Sequence, residues 1–362
     1  MFLGMILAAC TPQDPPANAE DAIRLHGSSV KAIHSIDAII RSRAYGASND
    51  FAVPIQKRVS HWSMQGSRQR LREQLTSSVR PDQLQKQNND TFYDILIEKG
   101  LLRTLEGWDP DKRPDLTPVH NHGVSGTIEP YGGHLPLTIL DPLLATNFAF
   151  TLIGGDPSRS LEQIRQVTPK ELTAEEKSVD GKRMIRLTIP YFNAHGEQTK
   201  SFILIDLDPD HNYLARRVET IANEEAIDGG QPVSFRNVTT VVSFGSFHDG
   251  LFFPTRLENE SYRGLSAKPT HRIEFDVEVK AINGPLPADA FDFHFPKYTL
   301  VRTLPPINGK VKVELWGSDN RPLQEVTSNA DLVEIAKKLS FFDDSQPPSN
   351  NSDTDLQRKI DN

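Results

Sequence analysis

The sequence predicts a mainly β chain of the α+β class, with one strongly curved antiparallel sheet folded over its own helices. Three observations carry that expectation. Apolar and polar residues alternate over much of 36–107 and again over 183–282, the period-two signature of strands with one covered face. A single amphipathic helix precedes the first run. Between the two runs an apolar segment at 136–167 breaks the alternation and reads as helical, so it must lie against a concave sheet face or be covered by something else.

The helix is expected from about residue 19 to 35. Asn18 is a good N-cap, Glu20 and Asp21 suit the positive end of the helix dipole, and Ile23, Val30 and Ile33 recur at helical spacing. Strands follow at 36–45, 55–65, 67–75, 92–98 and 101–107, with Glu98-Lys99-Gly100 as a tight turn between the last two. In Ser67–Glu73 the arginines Arg68, Arg70 and Arg72 alternate with Gln69 and Leu71, which reads as one solvated strand face.

In the apolar segment, Pro136 and Asp141-Pro142 look like helix starts, and Gly154-Gly155 separates them from a second short helix carrying Leu161, Ile164 and Val167. Strands resume at 183–191, 202–207, 213–222, 233–244, 251–262 and 270–282. The last is the cleanest, with Ile273, Phe275, Val277, Val279 and Ala281 on one face and Glu274, Asp276, Glu278 and Lys280 on the other. The main domain spans 19–300. A smaller appendix at 301–342 holds a strand at 310–316, a turn at 317–322 and a helix near 329–342, and the polar tail 343–362 cannot bury enough surface to stay ordered.

Composition narrows the function. The chain carries 40 basic and 48 acidic residues, a net charge of −8, with no block of either sign. Nucleic-acid binding needs a concentrated basic face to release counterions, and none is present. The one cysteine, Cys10, excludes an intrachain disulfide. Its context, Leu7-Ala8-Ala9-Cys10, resembles the lipobox of bacterial lipoproteins, in which the signal is cut before a cysteine that takes lipid on its sulfur. On this reading residues 1–9 are a short, truncated-looking lipoprotein signal, Cys10 is the lipid-attachment site and the Pro-rich stretch 10–18 is a tether. Buried acyl methylenes contribute ~0.8 kcal/mol each, so two or more chains anchor stably. The alternative is an apolar N-terminus without modification.

Catalytic chemistry is sparse. His120, His122 and His134 are the best metal candidates, but no carboxylate or cysteine stands beside them at ligand spacing, and no metal site is assigned. Asp206-x-Asp208-x-Asp210 opens like a calcium loop and then fails, with His211 where the sharp-turn glycine belongs and Arg217 where the closing carboxylate belongs. It reads as a hairpin turn. There is no nucleophile elbow, zincin motif, Walker loop or dinucleotide fingerprint, so no catalytic residues and no cofactor are expected.

Four stretches carry a family resemblance: Ala22–Ile40, Leu207-Asp208-Pro209-Asp210 through Glu219, Asp249–Thr255, and Val279–Pro296. In these the chain resembles the LolA/LolB-like outer-membrane lipoprotein-sorting proteins. The resemblance spans about 19–300 and consists of strand and turn signatures. It implies a half-open barrel over the N-terminal helix and the apolar helical insert, enclosing a pocket for acyl chains, and candidates for its lining are Trp62, Leu137, Leu140, Leu143, Leu144, Phe148 and Phe150. The expected role is a membrane-anchored binder or carrier of acyl lipid or lipidated protein in the bacterial envelope. Thr11 after the cysteine points to the outer membrane, and the expected location is that of an outer-membrane lipoprotein facing the periplasm. Two alternatives stand beside it: an envelope interaction module with a filled core, and a metal hydrolase built on the three histidines.

Overall fold

The computed structural model describes residues 19–47, 51–78, 91–108, 125–130, 172–192, 198–224, 233–264, 266–296, 299–307, 310–317, 320–328 and 331. In chain order these form helix α1 (Ala19–Lys31) and strands β1 (Ser35–Gly46), β2 (Gln56–Gln65), β3 (Arg68–Ser78), β4 (Thr91–Glu98), β5 (Leu101–Trp108), β6 (Ser125–Pro130), β7 (Thr173–Val179), β8 (Lys182–Phe192), β9 (Gln198–Asp208), β10 (Leu214–Glu224), β11 (Val233–Ser246), β12 (Phe252–Arg263), β13 (His271–Ile282), β14 (Leu300–Ile307), β15 (Lys310–Trp316) and β16 (Pro322–Glu325). The mainly β expectation holds. The apolar segment 136–167 lies outside the described residues, as does the helix expected near 329–342 apart from Asp331. The described residues divide into two compact units, the first within Met1–Gly66, Thr76–Gln87 and Gly132–Pro287, the second within Ser67–Leu75, Asn88–Tyr131 and Ala288–Asn362.

In the first unit nine antiparallel strands pair in the order β7-β8-β9-β10-β11-β12-β13-β1-β2. Helix α1 buries Ala22, Ile23 and Leu25 against Ile185, Leu187 and Ile189 of β8, Ile203, Ile205 and Leu207 of β9, and Ala215 and Val218 of β10. The helix stops at Lys31, earlier than its periodicity suggests, because Asn283 intervenes. Its side chain donates to the Ala32 carbonyl at 2.6 Å and accepts from the His34 and Ser35 amides at 2.8 and 3.2 Å. Asn283 can do this from a left-handed backbone, φ 51°, which asparagine tolerates better than most residues.

Local turn chemistry sets the registers. Between β7 and β8, Asp180 and Gly181 take φ 52° and 76° while Val179 pairs with Lys182, a two-residue turn whose twist suits the flanking strands. Lys99 and Gly100 do the same between β4 and β5, as expected. Strand β7 carries no apolar alternation in its sequence. It has Glu175, Glu176 and Lys177 at its centre, exposed, where an apolar alternation would otherwise mark a strand.

In the second unit β3, β4, β5 and β6 pair antiparallel in sequence, β14 joins β6 in parallel, and β15 and β16 follow antiparallel. Its core is Leu96, Leu105, Phe293, Phe295 and Val301. The Phe295 ring packs edge-on to Phe293 at 5.1 Å and to Trp316 at 4.8 Å. Gly126 of β6 lies under that ring, where a β-carbon would meet Phe295 Cε1 at 2.5 Å.

Arg70, in the arginine stripe of β3, is a correction to the solvated face expected there. Arg70 is buried, its guanidinium holding both oxygens of Asp94 at 2.9 and 2.6 Å and donating to the Asp289 carbonyl at 3.1 Å. Arg68 reaches Glu98 at 2.8 Å and lies over the Phe291 ring at 4.3 Å. The alternation is that of a strand face, but at Arg70 the face is covered, because a guanidinium with a fork-shaped partner can be buried, while the Arg68 side chain keeps 41% exposure.

Candidate functional site

The strand registers of the first unit define two faces with different chemistry. From Ile205 beneath α1, successive partners across the sheet are Val218, Thr239, Asn259, Ile273 and Ala44. Stepping by two along β1 reaches Ala38, whose partner on β2 is Trp62. Trp62 therefore lies on the face that carries α1, at the far side of the sheet from the helix. It is 2% exposed and stacks on Phe253, ring centroids 6.4 Å apart. Ile36, Ala38, Ile40, Met64, Phe275 and Val277 are buried around it or on neighbouring strands.

Between this apolar side and the helix-covered side runs a polar strip on β10, β11 and β12. Asn259 donates to Asn237 Oδ1 at 2.7 Å and to Thr239 Oγ1 at 2.8 Å, and Asn237 donates to Ser261 Oγ at 3.0 Å. Thr220, opposite Asn237 in register, is buried, and its hydroxyl meets no hydrogen-bond partner among the described residues.

The opposite face is a belt of charge. Arg186 holds Asp206 at 2.6 Å, Arg217 and Arg236 hold Glu219 at 3.0 and 2.5 Å, and Arg43 holds Asp276 at 2.7 Å and Glu274 at 3.4 Å. Burial works to raise the Glu219 carboxyl, but the hydrogen bond and charge of Arg236, joined by Arg217, outweigh it and hold the group below the usual carboxylate range. Tyr45 is raised by burial and by its hydrogen bond to Glu274. Opposite charges on adjacent strands pin register and consume one another. They leave this face as scaffold.

At the β9–β10 hairpin the three aspartates of the apparent calcium loop are parted. Asp206 goes to Arg186, while Asp208 accepts from Arg216 at 2.7 Å, His211 at 2.9 Å and the Asp210 amide at 3.0 Å. Asp208 caps a 3₁₀ turn, with Pro209 at its start and Asn212 left-handed at its end. The His211 ring stacks on Phe244 at 4.4 Å. This is a locked corner, the hairpin turn expected. Among the described residues no group of three or more His, Cys, Asp or Glu side chains could hold a metal ion. One trio superficially suggests a hydrolase: Asp37 accepts from His61 at 2.8 Å and from Ser63 at 2.7 Å. Both groups aim at the carboxylate, so the carboxylate stands where a hydrolase triad would place the imidazole against the hydroxyl, and the order of a Ser-His-Asp relay is not formed.

Of the residues expected to line a pocket, Trp62 is placed on the helix-bearing face. Leu137, Leu140, Leu143, Leu144, Phe148 and Phe150 lie outside the described residues, as do Cys10, His120, His122 and His134. Among the described residues no helix is long and apolar enough to cross a membrane. The polar strip was not foreseen, because Asn237, Thr239, Asn259 and Ser261 are ordinary strand-face residues until the register sets them side by side.

No protein-family profile and no curated protein matches the chain. Among solved structures it is similar to a domain from Vibrio parahaemolyticus named for outer membrane lipoprotein sorting, at 11% identity and TM-score 0.39, covering 76% of this chain and 97% of that one. It is also similar to the LolA superfamily protein NE2245 from Nitrosomonas europaea, at 11% identity and TM-score 0.35, covering 76% and 98%, and to LprF from Mycobacterium bovis, at 10% identity and TM-score 0.24, covering 75% and 97%.

Proposed function

We propose that this chain is a membrane-anchored binder or carrier of acyl lipid or lipidated protein in the bacterial envelope. The observation that carries the reading is the two-faced sheet of the first unit. One face spends its charges on itself, and the other presents apolar side chains from β13, β1 and β2, ending at Trp62. An apolar face of that breadth can wall a cleft as well as a core, and the carrier reading takes it as the wall of a cleft. An acyl chain gains roughly 0.8 kcal/mol per methylene on leaving water for such a cleft.

In this reading α1 covers one side of the sheet, the apolar segment supplies the facing wall through Leu137, Leu140, Leu143, Leu144, Phe148 and Phe150, and the whole is a half-open barrel. Cys10 carries the lipid that tethers the chain, as an outer-membrane lipoprotein facing the periplasm. Catalysis has no part in this role.

A second reading, an envelope interaction module with a filled core, is favoured by one fact. Trp62 is already packed on Phe253. The two readings part in one experiment. The chain is purified from a bacterial envelope and its bound lipid is extracted and identified by mass spectrometry. Acyl lipid that co-purifies, and is lost when Leu140 and Leu144 are changed to glutamate in a folded variant, supports the carrier. A lipid-free chain that also takes up no added lipid supports the interaction module. Incorporation of labelled palmitate, abolished by Cys10→Ser, tests the anchor separately.

A further inference from the structure

The polar strip on the helix-bearing face is over-supplied with hydrogen-bond donors. Asn259 and Asn237 deliver their amide protons to Asn237 Oδ1, Thr239 Oγ1 and Ser261 Oγ. The hydroxyls of Thr239 and Ser261 thus act as acceptors, and their own protons donate to no acceptor among the described residues. The Thr220 hydroxyl has no partner at all there. Thr220, Thr239 and Asn259 are 9%, 2% and 6% exposed, so bulk water does not readily serve them. Buried polar groups are ordinarily satisfied, and an orphan of this kind asks for an acceptor.

The surroundings state what kind of acceptor. On this face β10 presents Val218 and Thr220, β11 presents Asn237, Thr239 and Val241, and β12 presents Leu257, Asn259 and Ser261. None of these is charged. A phosphate or carboxylate placed there would lose its hydration without gaining a counter-charge, whereas a neutral carbonyl loses little and accepts from a hydroxyl. The strip adjoins Leu257 and Phe275 on the apolar side, so the carbonyl belongs to a molecule that continues as hydrocarbon.

We propose that Thr220, with Thr239 diagonal to it on the neighbouring strand, forms a subsite for an ester carbonyl of a diacylglyceryl group whose acyl chains lie along the apolar side toward Trp62. This rests on the carrier reading above and names the linkage that the carrier reads. Membrane glycerolipids and bacterial lipoproteins both carry that group.

The test uses the full chain and two neutral pyrene-labelled probes of equal chain length, a diacylglycerol and the dialkylglycerol in which both esters are ethers. The expected result is about tenfold tighter binding of the ester probe, the discrimination available from one good buried hydrogen bond. Thr220→Val, which replaces the unpartnered hydroxyl with a methyl of the same shape, should bring ester binding down to the ether level and leave ether binding unchanged. Thr220→Ser should restore the preference. Displacement of the ester probe by phosphatidylethanolamine vesicles or by a synthetic diacylglyceryl lipopeptide, weakened by Thr220→Val, identifies the source, and displacement by neither overturns the subsite. Equal binding of ester and ether probes by the unmodified chain overturns the subsite and leaves the carrier reading standing, as does a variant that weakens both probes alike. If neither probe binds the unmodified chain, the carrier reading itself fails and the subsite with it.

Discussion

Removing the Asp94 carboxylate should be among the most damaging single changes in the second unit. Arg70 is a side chain 7% exposed that holds Asp94, itself 11% exposed, through two short hydrogen bonds, with a third to the Asp289 carbonyl. Asp94→Ala leaves the guanidinium buried with one neutral acceptor. Breaking a buried pair from one side costs about 3–5 kcal/mol, because the remaining charge is uncompensated. Replacing both partners with apolar residues of similar volume is often close to neutral. The assay is amide hydrogen exchange followed by mass spectrometry on peptides of β3, β4 and β5, which reads this unit without requiring the whole chain to unfold in one step. A loss of about 3 kcal/mol accelerates globally limited exchange by roughly 150-fold, since 1.4 kcal/mol is a factor of ten. Arg70→Met with Asp94→Leu should bring exchange back to within about tenfold of the parent. Acceleration below about fivefold in Asp94→Ala would mean that the guanidinium finds water or another partner on losing the carboxylate, and that the face is open, as its sequence pattern alone suggests.

Gly126→Ala should destabilise the same unit by about 1–3 kcal/mol, because the new β-carbon would stand 2.5 Å from Phe295, a ring wedged between Phe293 and Trp316, and Phe295→Leu in that background should recover part of it in urea unfolding followed by tryptophan fluorescence. Glu219 has its folded pKa depressed, so it contributes stability that is complete above its unfolded value near 4.5 and is lost as pH falls through the lower folded value; Glu219→Gln should flatten the fall in urea midpoint over that acid range, and parallel curves for parent and variant would refute the coupling to Arg236 and Arg217. Trp62→Leu should lose about 2–4 kcal/mol of stability by emptying the space against Phe253, and on the carrier reading it should also weaken uptake of the pyrene diacylglycerol at temperatures where the fold is intact.

The strands that were legible in the sequence are those in which alternation, turn residues and length agreed. β13 shows this most plainly, since its apolar set Ile273, Phe275 and Val277 lies on the covered face and its acids meet Arg41 and Arg43 across the sheet. β7 and β14 lacked that agreement. β7 has three charged residues at its centre, and β14 carries Pro305-Pro306 just before its last residue, which argues against a strand until β6 is seen beside its first half in parallel register. Charge was harder still. Nothing in the spacing of Arg68, Arg70 and Arg72 separates a solvated row from a buried one, because burial depends on whether a carboxylate lies opposite. Asp94 is opposite Arg72 in register yet bonds Arg70, a diagonal pairing that no local pattern reports.

The same reasoning explains why the polar strip is the more informative part of the candidate site, although the apolar part was the one anticipated. A row of leucines and isoleucines on a sheet face is consistent with a core and with a cavity alike, since both want apolar walls, and Trp62 stacked on Phe253 satisfies either. Polar groups discriminate. A core that needs no ligand has every reason to close its hydrogen bonds, and two of the strip's asparagines do so with each other. A single unpartnered hydroxyl at Thr220, one register position from that closed pair, is costly in a filled core and useful in a cavity that receives a carbonyl. If Thr220→Val stabilises the chain and changes no lipid affinity, the hydroxyl is a flaw in a core and the interaction module gains. If it costs affinity for the ester probe alone, the flaw is the recognition element, and the sheet's division into a self-neutralised face and a donor-bearing apolar face follows from the ligand it holds.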